Sequence, residues 1–284
     1  MKQRISDYLS LLRPKHWIKN LLVFSAPFFA GKILDTEIIL RFIPVFSSFS
    51  FMASASYIIN DIKDMPFDRN HPKKKNRAIA SGKVSLGDAH ILAGMLFVSS
   101  VIIGLNVSKI FALYLFGYLV LQLCYSFYLK DIVLLDIFAI ASGFVIRVMA
   151  GGAAFNIEIS KWLFLSIFLL SLLLAAGKRI GETRSINANP EAHRMGIKSY
   201  PAGFLDGILW ISGAASLIAY GLYSIEQPKG LFYTIPIITF GLFRYILLSK
   251  TGLGDPTEAI YRDRQLATTI SLWIIILAII IYSK

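Results

Sequence analysis

The sequence has few charged residues for its length. Of its 284 residues, 16% are Asp, Glu, Lys or Arg and 56% are hydrophobic. Ordinary globular domains carry about 25% charged residues. A water-soluble fold of this composition would expose large apolar patches, which soluble monomers avoid. The composition therefore excludes a disordered chain, a nucleic-acid-binding tail and a typical soluble enzyme, and it predicts a polytopic membrane protein.

Cysteine and acidic residues are also scarce. A single cysteine, Cys124, excludes a disulfide framework and a cysteine-based metal site within one chain. Only 17 acidic residues accompany 29 basic ones, so the formal net charge is +12. In a soluble protein this excess would suggest nucleic acid. In a membrane protein it is typical of cytoplasmic loops rich in Lys and Arg, and we expect no nucleic-acid partner.

Long hydrophobic runs are abundant. A transmembrane helix needs about 20 mostly apolar residues, and nine stretches qualify or come close. They lie at about 17–36, 38–59, 89–107, 110–129, 132–154, 162–177, 204–225, 229–249 and 265–283. These runs are too long, and alternate too little, for the strands of a membrane barrel. The sequence predicts an all-α, polytopic membrane protein, a bundle of nine transmembrane helices in a single domain over 1–284.

Lys and Arg are concentrated on one side of this predicted bundle. The N-terminal segment and the loops at about 61–88, 178–203 and 250–264 hold most of them, and nine spans place all four regions on the same side. The positive-inside rule then predicts that the N-terminus and the long loops are cytoplasmic and the C-terminus is outside. We therefore expect a bacterial-type cytoplasmic (inner) membrane protein whose polar site faces the cytoplasm.

Acidic side chains cluster at the end of the second predicted span. Residues 57–68 read YIINDIKDMPFD, and five polar side chains share a helical sector of roughly 100°. They are Tyr57, Asn60, Asp61, Asp64 and Asp68. Clustered carboxylates repel one another unless a cation sits among them, and oxygen ligands of this kind suit Mg²⁺. A solvated acidic loop is the alternative. Because Pro66 disfavours helix at Met65, Asp68 is expected either on the helix or on the loop after it.

Basic residues follow these acids directly. The run 71–77 contains Lys74, Lys75 and Arg77, which would suit a polyphosphate substrate beside a metal site. Topology determination is the alternative reading of the run taken alone. After the sixth span, residues 178–184 hold three bases and one acid, including Lys178, Arg179 and Glu182. They resemble a phosphate clamp more than a second metal site, and a charged loop is the alternative.

The fifth span contains an arginine well inside an apolar run. Arg147 shares a helix face with Asp136 and Gly143. Asp136 and Arg147 are about 16 Å apart along the helix axis, too far to pair directly. Intramembrane charges usually face a water-filled cavity or a partner. We therefore expect Arg147 to reach an anionic substrate, with Lys130 as a companion, and a structural ion pair is the alternative.

The acidic motif, in a chain of nine predicted spans, resembles the first signature of the UbiA superfamily of intramembrane prenyltransferases. Six further stretches resemble its decaprenyl-phosphate phosphoribosyltransferase branch: 13–20, 69–72 with 77–82, 125–130, 143–147, 177–179 and 262–264. The resemblance implies a helical bundle that binds a diphosphate through Mg²⁺ at a cytoplasmic mouth, with a lipid chain in a cavity open to the bilayer. Prenyl-transferring members carry a second Asp-x-x-x-Asp motif, and here Lys178 to Glu182 occupy its place.

The resemblance implies an enzyme that transfers 5-phosphoribosyl from phosphoribosyl diphosphate to a polyprenyl phosphate for cell envelope biosynthesis. Asn60 and Asp64 would hold the metal, and Asp61, Asp64 and Asp68 would be catalytic. Substrate phosphates or the ribose would be bound by Lys15, Lys19, Tyr57, Lys74, Lys75, Arg77, Lys130, Arg147, Lys178 and Arg179. The alternative is an aromatic, quinone-precursor prenyltransferase that uses a prenyl diphosphate, and the non-enzymatic rival is a transporter with a midplane ionic site. The sequence leaves the lipid chain length and the oligomeric state open.

Overall fold

The computed structural model describes residues 2–70, 74–186, 200–227 and 230–283, and no strand occurs within these ranges. Among these described residues, eight helices are long and apolar enough to cross a membrane. The predicted all-α, polytopic membrane class is confirmed. The chain separates into two compact units, Met1–Leu129 with Ile146–Glu158 and Lys130–Val145 with Ile159–Lys284, which we call unit 1 and unit 2. The single domain over 1–284 stays a prediction.

Unit 1 contains the N-terminal helices. They are α1 (Lys2–Leu12), a 3₁₀ segment (Pro14–Phe24), α2 (Ser25–Phe29), α3 (Thr36–Asn70), α4 (Leu86–Val107), α5 (Lys109–Phe127) and the second half of α6 (Leu135–Phe155). The long helix α3 packs mainly against α4. One core of this unit gathers aromatic and aliphatic side chains such as Phe49, Phe111 and Tyr118, and a smaller core lies around Ile58 and Ile79.

Unit 2 contains the first half of α6 and the C-terminal helices. They are α7 (Lys161–Ile186), α8 (Phe204–Glu226), α9 (Ile235–Lys250), α10 (Pro256–Arg262) and α11 (Arg264–Tyr282). Helix α7 packs mainly against α8. Glycines allow the turn before α10 to approach α7 closely, because a Cβ added at Gly254 would lie 2.2 Å from the carbonyl oxygen of Gly177. Tyr245 donates its hydroxyl to the carbonyl oxygen of Gly254 at 2.7 Å and holds this turn in place.

The first predicted span, 17–36, is wrong as a single helix. The chain instead forms the 3₁₀ segment, the short helix α2, and a turn with positive φ at Gly31. Proline supplies part of the reason. Pro27 has no N–H to donate to the carbonyl of Val23, so an α-helix cannot continue through this point with all its hydrogen bonds. The other eight predicted stretches correspond to single long helices, with ends shifted by a few residues or, for α3 and α7, extended by more.

Helix α3 continues through Pro66 to Asn70, so Asp68 lies on the helix and not on a loop. The proline removes only one backbone hydrogen bond, to the carbonyl of Ile62. Interactions from the following segment hold this last turn. Arg77 forms an ion pair with Asp68, and Arg69 donates to the carbonyl of Ala80. One helix therefore carries all five polar residues of the predicted acidic cluster.

Candidate active site

The C-terminal half of α3 forms an acidic face in unit 1. Asp61, Asp64 and Asp68 are 4%, 6% and 3% exposed, so the protein buries all three carboxylates. Buried carboxylates require positive partners or hydrogen-bond donors, because desolvation penalises the charged form. The structure provides arginines from both flanking segments of the chain.

Arg77 joins two of these carboxylates. Its Nη1 atom lies 2.9 Å from Oδ1 of Asp61 and 2.6 Å from Oδ2 of Asp68. The two aspartates are seven residues apart on α3, which is two helical turns. A single guanidinium therefore spans the acidic face and neutralises part of its repulsion. The sequence placed Arg77 among the phosphate-binding residues, and that role stays a prediction.

Arg13 is a second partner of the acidic face, and the sequence-based reasoning did not include it among the site residues. Its Nη2 donates to Oδ1 of Asp61, and its guanidinium lies 5.3 Å from the centre of the Tyr57 ring. Its backbone is left-handed, with φ 51° and ψ 58°. For a residue other than glycine this conformation costs roughly 1–2 kcal/mol, and such strain clusters at functional sites. The signal was weak in the sequence because the partner, Asp61, is 48 residues away.

Asn60 and Asp64 occupy successive turns of the same face. The Asn60 Nδ2 atom lies 3.1 Å from Oδ2 of Asp64, so the two side chains already meet. Within the described ranges, no three His, Cys, Asp or Glu side chains could hold a metal together. Mg²⁺ commonly binds through one or two protein oxygens and takes water and phosphate oxygens for the rest. The oxygens of Asn60 and Asp64 fit such a two-ligand Mg²⁺ site. The oxygens of Asp61 and Asp68 instead accept hydrogen bonds from arginines.

The predicted lysines of unit 1 flank these arginines in the chain. Lys15 is exposed and Lys19 is half-buried on the 3₁₀ segment that follows Arg13. Lys74 is half-buried and Lys75 exposed on the 3₁₀ turn just before Arg77. Residues 71–73 of the predicted basic run, and 187–199 of the predicted loop 178–203, lie outside the described residues.

Arg147 lies in the interior of unit 1 and is 4% exposed. Its Nε donates to Oδ1 of Asn20 and its Nη2 to the hydroxyl of Tyr118, both at 2.9 Å. The guanidinium also lies over the rings of Phe49, at 5.5 Å, and Tyr118, at 4.7 Å. The structure therefore places this intramembrane arginine among neutral polar and aromatic side chains, and its contact with substrate stays a prediction.

Unit 2 holds the residues predicted as a phosphate clamp. Arg179 is 0% exposed, and its Nε donates to Oδ2 of Asp136 at 2.6 Å while its Nη1 pairs with Glu182. Lys178 is half-buried and Lys130 is buried. Asp136 and Glu182 thus both pair with Arg179, an arrangement that differs from two carboxylates placed to hold a metal. Substrate binding by these three bases stays a prediction.

Tyr200 completes this buried network, and the sequence analysis did not single it out. Its hydroxyl donates to Oδ1 of Asp136 and accepts a hydrogen bond from the backbone N–H of Leu134 at 2.8 Å. Burial and the adjacent Asp136 raise the pKa of Tyr200 above its ordinary value, so the hydroxyl remains a donor at neutral pH. Asp136 therefore receives donors from α7, from Tyr200 and from its own helix, through the N–H of Ile137.

The fold and the polar site define a class of protein: a multi-span helical membrane protein in which one long helix carries an acidic face whose carboxylates pair with arginines. The profile of the UbiA prenyltransferase family matches residues 22–267. The chain belongs to this family, and it is a membrane transferase.

Two curated relatives carry a more specific name than the family. The chain is 33% identical to the decaprenyl-phosphate phosphoribosyltransferase of Mycolicibacterium smegmatis, over 96% of this chain and 92% of the relative. It is 34% identical to the enzyme of the same name from Mycobacterium tuberculosis, over 95% and 92%. A UbiA homologue from Archaeoglobus fulgidus, solved with GPP and Mg²⁺, shares the fold with a TM-score of 0.68 at 18% identity, covering 98% of this chain and 100% of that one.

Proposed function

We propose that this protein transfers 5-phosphoribosyl from phosphoribosyl diphosphate to a polyprenyl phosphate, with Mg²⁺, and releases diphosphate. The acidic face of α3, whose carboxylates pair with Arg13 and Arg77, carries the proposal. Relatives that match nearly the whole chain are named for this reaction. Both substrates are polyanions, and the reaction brings a phosphate nucleophile towards a diphosphate leaving group. Such a pair requires fixed positive charge at the site.

The proposed reaction breaks one bond and forms one bond at C1 of the ribose. The C1–O bond to diphosphate breaks and its electron pair leaves with diphosphate, while an oxygen of the lipid phosphate bonds to C1. That phosphate oxygen is already anionic, so no protein base has to remove a proton. Positive charge develops on the ribose carbon, as in other glycosyl transfers.

The residues of unit 1 would orient the donor. Mg²⁺, held through Asn60 and Asp64, would supply positive charge to the departing diphosphate. Arg13 and Arg77 are held at the acidic face by Asp61 and Asp68, so their charges are positioned before substrate arrives. Lys15, Lys19, Lys74 and Lys75 would bind the outer phosphate oxygens, and Tyr57 the ribose or a phosphate. The aspartates paired with arginine then contribute by positioning cations.

Aromatic prenylation remains the second candidate, because the family profile is that of prenyltransferases and a solved structure of this fold was bound to GPP. Unit 2 favours the phosphoribosyl reaction. The acids near the site of the second prenyltransferase motif, Asp136 and Glu182, both pair with the buried Arg179. A carboxylate committed to an arginine is a poorer ligand for a second metal ion.

One assay separates these candidates. Purified protein in detergent is incubated with Mg²⁺, labelled phosphoribosyl diphosphate and polyprenyl phosphate, and the lipid phase is then extracted. We expect label in the lipid phase, and none when Mg²⁺ is chelated or the lipid lacks its phosphate. Turnover of a prenyl diphosphate with an aromatic acid, without lipid-phase label, would instead identify the second candidate.

We further propose that the protein lies in the cytoplasmic membrane with its N-terminus and acidic face inside and its C-terminus outside. This topology requires the 3₁₀ segment and α2 to cross the membrane together with the eight long helices. The close approach of Val23 to Gly151, near the C-terminal end of α6, supports a crossing at this point. Fusions at residue 284 are expected to give active alkaline phosphatase and non-fluorescent green fluorescent protein. The opposite pattern would mean that both termini lie on one side.

A further inference from the structure

The 3₁₀ segment of unit 1 is much longer than 3₁₀ helices usually are. It covers eleven residues, Pro14–Phe24, whereas runs beyond three or four residues are uncommon because their hydrogen-bond geometry is poorer than in an α-helix. The segment is mostly apolar and carries no glycine. No residue of the segment after Pro14 is a helix breaker, and Pro27 lies beyond its end, so contacts with other helices must explain why residues 14–24 are 3₁₀ and not α-helical.

Three residues at intervals of three form the edge of this segment that faces α3 and α6; Trp17 is half-buried, and Asn20 and Val23 are buried. Side chains at i and i+3 eclipse in a 3₁₀ helix, so Trp17, Asn20 and Val23 lie in one row. Trp17 donates from Nε1 to the hydroxyl of Ser54, and Asn20 donates from Nδ2 to the hydroxyl of Ser50, both at 3.1 Å. The row therefore meets α3 through two polar contacts.

The same row also meets the second half of α6. Asn20 Oδ1 accepts from Nε of Arg147 at 2.9 Å. One turn further along α6, a Cβ added at Gly151 would lie 1.8 Å from the carbonyl oxygen of Val23. Only glycine allows the backbone of the 3₁₀ segment to come this close. Asn20 thus lies between an arginine of α6 and a serine of α3, and it is 1% exposed.

A match in helical rise explains why the segment is 3₁₀. Its contact residues are three apart, while the partners on each neighbouring helix, Ser50 with Ser54 and Arg147 with Gly151, are four apart. Three residues of 3₁₀ helix and four residues of α-helix both rise about 6 Å. Three residues of α-helix would rise only about 4.5 Å and turn the next side chain about 60° out of the row. An α-helical segment could not keep all four contacts.

We propose that Asn20 and Arg147 are positioning residues that lock the 3₁₀ segment into one register against α3 and α6. The register matters because Arg13 directly precedes the segment and Lys15 and Lys19 lie on it. A locked segment holds Arg13 in its left-handed conformation, with its guanidinium on Asp61 and over Tyr57. This proposal rests on the proposed function for its effect on the reaction, but the lock itself is a property of the fold.

The lock is tested first without any reaction. Hydrogen exchange is measured for wild type, Asn20→Ala and Asn20→Asp in lipid nanodiscs. We expect Asn20→Ala to speed exchange across residues 14–24 while α11 is unchanged. Asn20→Asp should remain protected, because one carboxylate oxygen still accepts from Arg147 and the Ser50 hydroxyl can turn to donate to the other. Asn106→Ala is the matched control, since Asn106 is exposed and, among the described residues, its side chain bonds only to the carbonyl of Ile102 in its own helix α4.

The consequence for the site is tested by kinetics on the same proteins. Asn20→Ala should raise KM for phosphoribosyl diphosphate by about tenfold, because a hydrogen bond to a charged group contributes roughly that factor to an equilibrium constant. The value of kcat should change little. Asn20→Asp should restore KM. Unchanged exchange over 14–24 in Asn20→Ala, or equal damage from Ala and Asp, would overturn the lock. Altered exchange with unaltered KM would overturn its positioning role, and an inactive wild type would count against the proposed function only.

Discussion

Asp64→Asn is expected to lower phosphoribosyl transfer by about 10³-fold, the scale seen when one preorganised charge-stabilising group is removed. The substitution keeps the shape of the side chain and its contact with Asn60. It removes the negative charge that the metal ligand needs. Because the fold loses little, the thermal unfolding temperature should stay near that of wild type. The rate is measured as label entering the lipid phase across a range of Mg²⁺ concentrations.

Asp35→Asn provides the matched control for this experiment. Asp35 is exposed and directly precedes the start of α3, at the opposite end of the helix from the acidic face. The Asp35→Asn variant should transfer phosphoribosyl at the wild-type rate. A near-normal rate for Asp64→Asn at all Mg²⁺ concentrations would show that Asp64 does not hold the metal.

Arg179→Ala is expected to cost about 3–5 kcal/mol of unfolding free energy, the usual result of removing one partner from a buried ion pair. The change would leave Asp136 buried without its guanidinium, while Glu182 can reach water because its side chain is 33% exposed. Thermal unfolding in detergent measures the loss. Arg262→Ala is the control, since Arg262 and its partner Glu258 are both exposed on α10, and such pairs contribute less than about 1 kcal/mol.

A double variant then separates the two roles of Arg179. Arg179→Met with Asp136→Asn removes both charges, fills the space, and leaves an amide oxygen for the donors from Tyr200 and Ile137. Stability should largely return. If phosphoribosyl transfer returns together with stability, Arg179 supports the reaction only by stabilising the fold. If stability returns and transfer does not, the sequence-based prediction that Arg179 binds phosphate is supported. A single variant as stable as wild type would contradict the buried ion pair itself.

The acidic face shows what a local pattern can predict. Asn60, Asp61, Asp64 and Asp68 lie on one helix face because the α-helical period is a property of the backbone, and any stretch that forms a helix has it. The sequence left open whether Asp68 is on the helix, because Pro66 disfavours it locally. Ion pairing of Asp68 with Arg77 accompanies the extra turn, and that contact was not visible in the sequence.

The 3₁₀ segment and Arg179 show the opposite case. Hydropathy correctly marked 17–36 as apolar, but it could not show that the contacts of Asn20 with Ser50 and Arg147 match a 3₁₀ rise. The charges at 178–182 led to the prediction of a loop that begins at 178, whereas the helix α7 continues to Ile186. Arg179 turns inward to Asp136, which is 43 residues earlier. Arg13 was missed for the same reason.

By itself, the sequence determined the membrane environment, the helical class, eight of the nine predicted membrane stretches as single helices, and the clustering of acids on α3. These follow from composition and from contacts within a few residues, where the hydrophobic effect and helical periodicity act alone. Only the tertiary structure decided which arginine meets which acid and which segment is 3₁₀. Those outcomes depend on groups such as Asn20 and Arg147, 127 residues apart, whose burial is tolerated only when folding brings their partners within hydrogen-bonding distance.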